Sequence, residues 1–81
     1  MEEMAKLIWE FRGPNALRTA EHHEIHLKEY FTIEGISALE TGVVSVSDFN
    51  ATAFCIVAMS HVPSLRAALK PHRGQRYSNH K

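Results

Sequence analysis

The sequence predicts an α+β domain of the ferredoxin-like, split β-α-β kind, in which an antiparallel sheet carries its helices on one face. Two observations lead to this fold class. The hydrophobic pattern changes along the chain in the order strand, helix, strand, strand, helix, and a short polar segment follows. The 81 residues are enough for one small domain, and a domain of this size has only a small core.

The first strand and the first helix have the clearest patterns. Residues 5–11, AKLIWEF, alternate between two sets of side chains, which is typical of a half-buried strand. Residues 15–34 follow a helical period, with Asn15 as a candidate N-cap and Gly35 as a stop. The apolar stripe of this helix consists of Ala16, Leu17, Ala20, Leu27, Tyr30 and Phe31.

The third strand of the prediction, residues 51–59, is the most apolar segment of the chain. It follows a strand within residues 37–48 and a turn at SDFN. Its sequence, ATAFCIVAM, is apolar on both faces, so this strand belongs in the centre of the sheet with both faces covered. Because the helices cover one face only, we expect a second subunit against the other face and therefore a homodimer.

A short helix and a basic tail complete the chain. The segment SHVPSLRAALK predicts a helix with Pro63 in its first turn and Pro71 beyond its end. We assign residues 1–71 to a single α+β domain. Residues 72–81 form a basic polar tail, which is either disordered or holds a short last strand near QRYS.

The composition argues against several classes of protein. The single cysteine, Cys55, allows no disulfide within the chain and fits a reducing compartment. No apolar run approaches the roughly 18 residues that a membrane-spanning helix needs. The MEEMAK start has no apolar signal-peptide region. We therefore expect a cytoplasmic protein that does not enter a membrane.

Charge is distributed unevenly, although the formal net charge is zero. All nine acidic residues lie in positions 1–50, whereas positions 51–81 hold five basic residues and no acid. This asymmetry marks either a basic arm for an acidic partner or two regions that meet, within one subunit or between two. Tyr77 is the one aromatic side chain among the basic residues of the tail, so we do not expect nucleic-acid binding.

Four segments of the chain resemble the dimeric α+β barrel proteins, in particular the YciI-like and antibiotic-biosynthesis-monooxygenase-like families: RTAEHHEIHLKEYFTIEG, ETG, AFCIVAM and SHVPSLRAAL. YciI-like proteins similarly carry Arg, His and Leu along the first helix, a Gly that closes it, and a Ser-led helix after the third strand. The resemblance implies a dimer with a catalytic histidine on the first helix. Those families partner this histidine with an Asp after the last helix, whereas this chain reads Leu69-Lys70-Pro71-His72 there.

The segment EHHEIH, residues 21–26, concentrates three histidines and two glutamates. His22 and His26 are four residues apart, so their rings can converge on one point, and Glu29 lies on the same strip of the helix. Two imidazoles and a carboxylate suit a divalent transition metal such as Zn²⁺. The candidates for a further ligand are His61 and His72. The alternative is an ordinary solvated helix face.

The same segment offers candidates for a catalytic acid or base. Histidine titrates near neutral pH, and His26 or His23 would act at the wall of a pocket between the first helix and the sheet. His23 lies at the edge of the apolar stripe, near Leu27. A partly buried histidine that bonds to a backbone carbonyl is the simpler interpretation of that position.

Three further side chains are candidates for ligand binding. Arg12 lies just before the predicted helix N-terminus, where free N–H groups attract anions, and Arg18 lies on the helix itself. Trp9 belongs either to the core or to the wall of a pocket. Two hypotheses follow. The first is a small-molecule-binding homodimer or enzyme that uses a helix histidine as acid or base. The second is a non-catalytic metal-binding or regulatory module that uses the His-x-x-x-His pair.

Overall fold

The computed structural model describes residues 3–77, which form four strands and two α-helices. The elements follow the predicted order β-α-β-β-α, and the final strand that the prediction left open is present. They are β1 (Met4–Arg12), α1 (Ala16–Glu34), β2 (Glu40–Ser47), β3 (Asn50–Ala58), α2 (Val62–Leu69) and β4 (Arg73–Tyr77), with a 3₁₀ turn at Met59–His61 before α2.

The strands form one antiparallel sheet in the order β2-β3-β1-β4. The two most apolar strands, β1 and β3, lie in its centre and pair along their whole length, from Met4 opposite Ala58 to Arg12 opposite Asn50. This order and direction confirm the predicted α+β, ferredoxin-like class.

Of the two alternatives for the basic tail, a disordered segment or a short last strand, the structure shows the strand. Residues 73–77 pair with β1, from Ile8 opposite Arg73 to Met4 opposite Tyr77. The folded domain therefore extends beyond residue 71 and includes most of the segment that the sequence assigned to a tail. The remaining tail positions, 78–81, lie outside the described residues.

Both helices pack against the same face of the sheet. Alternate side chains of β1 and β3 point to this face and meet the helices in a buried cluster. The cluster consists of Leu7, Trp9, Cys55 and Val57 from the strands, Leu27 and Phe31 from α1, and Leu65 from α2. Small residues let α1 approach the sheet closely at its other end, where Ala16 and Ala20 meet Ala51 and Ala53.

At the C-terminal end of α1, Gly35 ends the helix as predicted, whereas at the N-terminal end Asn15 does not cap it with its side chain. Gly35 adopts a left-handed conformation with φ 69°, and its N–H donates to the Phe31 carbonyl. Asn15 does occupy the N-cap, but its side chain makes no capping hydrogen bond; its carbonyl accepts from the Thr19 N–H and hydroxyl. The predicted stripe is wrong at Leu17, which is 43% exposed.

The uneven charge distribution is explained partly by the pairing of β1 with β4. Arg73 Nε lies 3.0 Å from Glu10 Oε2, and Arg76 Nη2 lies 3.7 Å from Glu3 Oε1. The acidic beginning and the basic end of the chain therefore meet within one subunit, as one interpretation of the charge asymmetry predicts. Within residues 3–77, neither helix is long and apolar enough to cross a lipid bilayer.

Candidate functional site

The inner edge of α1 places His23 against two aromatic side chains of β1. The His23 ring centroid lies 4.7 Å from that of Trp9 and 5.5 Å from that of Phe11. Its Nε2 atom is buried and has no hydrogen-bond partner among residues 3–77. The sequence therefore located His23 correctly at the edge of the core. The bond to a backbone carbonyl that it favours for this side chain is not made at Nε2.

Burial lowers the pKa of His23 below its usual value of 6.5, and the neighbouring imidazoles of His26 and His72 lower it further. The cause is that a positive charge loses hydration in this apolar surrounding and is repelled by other positive charges. His23 is therefore neutral near pH 7. A neutral imidazole with an unpartnered nitrogen can accept a proton or a hydrogen bond from a ligand.

The outer strip of α1, defined by His22, His26 and Glu29, has a different environment. His22 is exposed, and the His26 and Glu29 side chains are 72% and 65% exposed. His26 Nδ1 lies 3.5 Å from Glu29 Oε1, so these two side chains interact as the helical spacing predicts. Both side chains face water, not the interior of the fold.

The described residues do not bring a third ligand to the outer strip. Within residues 3–77, no three His, Cys, Asp or Glu side chains are grouped so that they could hold a metal ion. His72, one of the two candidates, accepts a hydrogen bond at Nδ1 from the Glu10 backbone N–H at 2.7 Å. His61 lies at the start of α2. A metal site on the outer strip therefore stays a prediction from spacing alone.

The three predicted ligand-binding side chains lie in separate places. Trp9 is buried in the core, and its Nε1–H donates to the Leu69 carbonyl at 2.9 Å, which fastens the end of α2 to β1. Arg12 is exposed at the end of β1 and borders a depression of about 220 Å³ beside Val46. Arg18 is exposed on α1, one turn before His22.

An open cavity of about 320 Å³ lies between α2 and the paired strands β1 and β4. We call it the α2–β4 cavity. Its apolar lining includes Ala5 and Leu7 from β1, and Met59 and Val62 from the turn and helix that follow β3. Arg66, Arg73 and Arg76 also line it and add positive charge. It lies under α2, whereas the sequence predicts a pocket between the first helix and the sheet.

The cavity and His23 are connected through two rings. His72 lines the α2–β4 cavity, and its ring centroid lies 6.4 Å from that of Phe11. Phe11 in turn contacts His23. Phe11 is half-buried and packs against the core, and His72 is exposed, so these two side chains separate His23 from the cavity.

Sequence reasoning did not select Arg66, Arg76 or His72 as parts of one site. The available signal was the acid-free, basic composition of residues 51–81. That composition does not tell which residues share a cavity, because this depends on β4 pairing with β1. Cys55 is not a functional candidate, since it is buried in the core and burial raises the pKa of its thiol to about 12.

These features define a protein of the α+β, ferredoxin-like class with an open cavity beneath its second helix. Compared with family models, curated proteins and solved structures, the chain matches none of them.

Proposed function

We propose that the protein is a small-molecule-binding homodimer that takes its ligand in the α2–β4 cavity. The observation that carries this proposal is the cavity itself: about 320 Å³, with an apolar base and a few polar groups around it. Ligand sites are typically concave, mostly apolar and about 300–1,000 Å³ in volume. This cavity lies at the lower end of that range and suits a small ligand.

In this proposal His23 is the acid or base that would act on a bound ligand. Support comes from its unpartnered Nε2, its lowered pKa and the ring contacts that lead through Phe11 to His72 at the cavity. His26, the other predicted catalytic histidine, is mostly exposed on the outer strip. A ligand would reach Nε2 by displacing the half-buried Phe11 ring.

The ligand part of the proposal can be tested with hexanamide, a small neutral probe with an apolar body. Titration into ¹⁵N-labelled full chain should shift the amide resonances of Ala5 and Gly74 saturably, with a Kd of about 1 mM for so few atoms. Resonances that do not shift up to the solubility limit of hexanamide would contradict the cavity as a ligand site.

A substitution that fills the cavity sharpens this test. Gly74 lines it, and a Cβ at this position would meet only the end of Leu7 at 3.4 Å, so Gly74→Val places its extra atoms in the cavity. We expect hexanamide binding to be lost. Ser45→Val is the matched control, because it also adds valine at an exposed strand position, on β2 at the opposite edge of the sheet.

The homodimer part of the proposal is supported by the sheet face that the helices leave open. Val44, which is 46% exposed, and the half-buried Phe54 lie on this face; Ile8 and Ile56 also point to it but are already buried within the subunit. The Lys6 ammonium lies 4.5 Å from the centroid of the Phe54 ring and borders this apolar surface. A second copy packed face to face would bury Val44 and Phe54 and enlarge a small core.

Native mass spectrometry of the full chain tests the dimer. We expect a dimer for the unmodified protein and a monomer for Val44→Lys, because an unpaired ammonium group would be buried in the interface. Ile33→Lys is the control, since Ile33 is 79% exposed on α1, away from the open sheet face. An unmodified chain that is monomeric at micromolar concentration would overturn the dimer.

A further inference from the structure

We infer that the α2–β4 cavity selects a small organic anion: a molecule with an apolar body and one carboxylate or comparable acidic group, held by Arg66 and Arg76. The inference rests on the proposed ligand site and adds its chemical class. Three features support it. Arg76 projects from the side of the sheet that faces the cavity, Arg66 has no ion-pair partner among residues 3–77, and the lining is divided into an apolar part and a cationic part.

The register of β4 places Arg76 on the cavity side of the sheet. Arg76 lies opposite Ala5, and Gly74 lies opposite Leu7, all on the face that the helices cover. Alternation sends Arg73 to the open face, where it pairs with Glu10 at 3.0 Å. Arg73 also lines the cavity, but Glu10 holds its guanidinium group, so Arg76 is the arginine of β4 that is left to bind an anion there.

The ion pair between Arg76 and Glu3 leaves Arg76 able to bind an anion. Its Nη2 lies 3.7 Å from Glu3, and the two side chains are 71% and 61% exposed. A pair that is this exposed is weak, because water screens the charges and both side chains remain free to move. A guanidinium also carries five N–H donors, so Arg76 can bind an anion while it stays near Glu3.

Arg66 approaches the cavity from the opposite side, on α2. Within residues 3–77, no carboxylate lies within ion-pair distance of it, and α2 itself carries no acidic residue. Besides the paired Arg73, two guanidinium groups thus border the cavity: Arg66 from a helix and Arg76 from a strand. Guanidinium groups favour carboxylates and phosphates because they can donate two parallel N–H bonds to the two oxygens of the anion.

The remaining lining defines the rest of the ligand. Ala5, Leu7, Met59 and Val62 offer aliphatic surface and no formal charge. A bare inorganic anion would leave this surface in contact with water, whereas a short hydrocarbon body would cover it. The site therefore suits an anion that carries an apolar group, and it is less suited to inorganic phosphate.

The test compares hexanoate with hexanamide, which share an apolar body and differ in charge. Titrations of the ¹⁵N-labelled full chain should show hexanoate binding about tenfold tighter than hexanamide, with both probes shifting Ala5 and Gly74. Arg66→Gln and Arg76→Gln should each weaken hexanoate about tenfold and leave hexanamide unchanged. Lys28→Gln is the control, because it removes the same charge from the exposed side chain on α1 that pairs with Glu24.

The outcomes separate this inference from the proposed function. Equal binding of the two probes in the cavity would overturn the anion preference and leave the ligand site standing. Binding of neither probe would overturn both. Inorganic phosphate that binds as tightly as hexanoate would contradict the role of the apolar lining. As a second measurement, hexanoate affinity in the unmodified protein should fall as salt rises, and a salt-independent affinity would overturn the role of the arginines.

Discussion

The inner and outer sides of α1 put the same residue type into opposite environments. His23, on the inner side, lies against Trp9 and Phe11 with a buried, unpartnered nitrogen. His26, three residues on, is mostly exposed and faces Glu29. The comparison teaches that a cluster of histidines in a sequence is not one site, because the helical period divides its members between the core and the solvent.

The two sides of α1 should differ most in how much the free energy of unfolding falls when a side chain is truncated to alanine. Leu27 is fully buried in the core cluster, so Leu27→Ala should lower the free energy of unfolding by about 2–5 kcal/mol. His26→Ala should change it by less than about 0.5 kcal/mol, because this side chain faces water. Urea denaturation at one fixed protein concentration measures both. Similar losses for the two variants would mean that the outer strip is covered in solution.

A substitution at His23 should change the free energy of unfolding by a smaller amount and in the opposite direction, toward greater stability. His23→Phe keeps a ring against Trp9 and Phe11 and removes the unpartnered Nε2, so the free energy of unfolding should rise by about 1 kcal/mol. His26→Phe, on the exposed side, should change it by less than about 0.5 kcal/mol. A loss of stability in His23→Phe would show that Nε2 has a hydrogen-bond partner in solution, and the distinction between the two sides would then weaken.

The smallest expected effect is a dependence on pH. Because the pKa of His23 is lowered in the folded state, the unfolded chain binds more protons as the pH falls below 6.5. The stability that neutral His23 provides is therefore complete above pH 6.5 and is lost as the pH falls through the lowered pKa. His23→Phe lacks this loss, so its advantage over the unmodified protein should grow between about pH 7 and about pH 5.

Paired urea denaturations at several pH values measure that difference and cancel the contributions of other titrating groups. A stability difference between the two proteins that stays constant across the range would mean that His23 has an ordinary pKa. It would then resemble an exposed histidine, and the proposed acid or base role would lose its electrostatic support.

Most of the fold could be predicted from local sequence patterns, because the central strands and the end of the first helix each have a clear pattern of their own. The alternation in β1 and the two-sided apolarity of β3 require central strands, and Gly35 supplies the left-handed residue that ends α1. By contrast, β4 is polar and mostly exposed, so its sequence has no strand pattern. Its strand conformation comes from hydrogen bonding to β1, a partner more than sixty residues away in the chain.

The candidate site was less predictable because, like β4, it depends on contacts between elements that are distant in the chain. Helical periodicity located His23 at the core edge, because that position depends on α1 alone. Arg66 and Arg76 become neighbours of one cavity only after α2 packs and β4 pairs with β1. No spacing within a single element encodes this arrangement. Leu17 illustrates the limit even within a helix, since it belongs to the apolar stripe by angle and is nevertheless exposed.

The pairing of β4 with β1 has a consequence for synthesis and quality control. On the ribosome, β1 emerges first and β4 emerges last among these elements, so one edge of a central, apolar strand waits for most of translation without its partner. A chain that stops after α2 would keep that edge open to other chains and would invite aggregation. It would also lack the strand that supplies Arg76. Completion of the sheet and completion of the cavity are thus the same event.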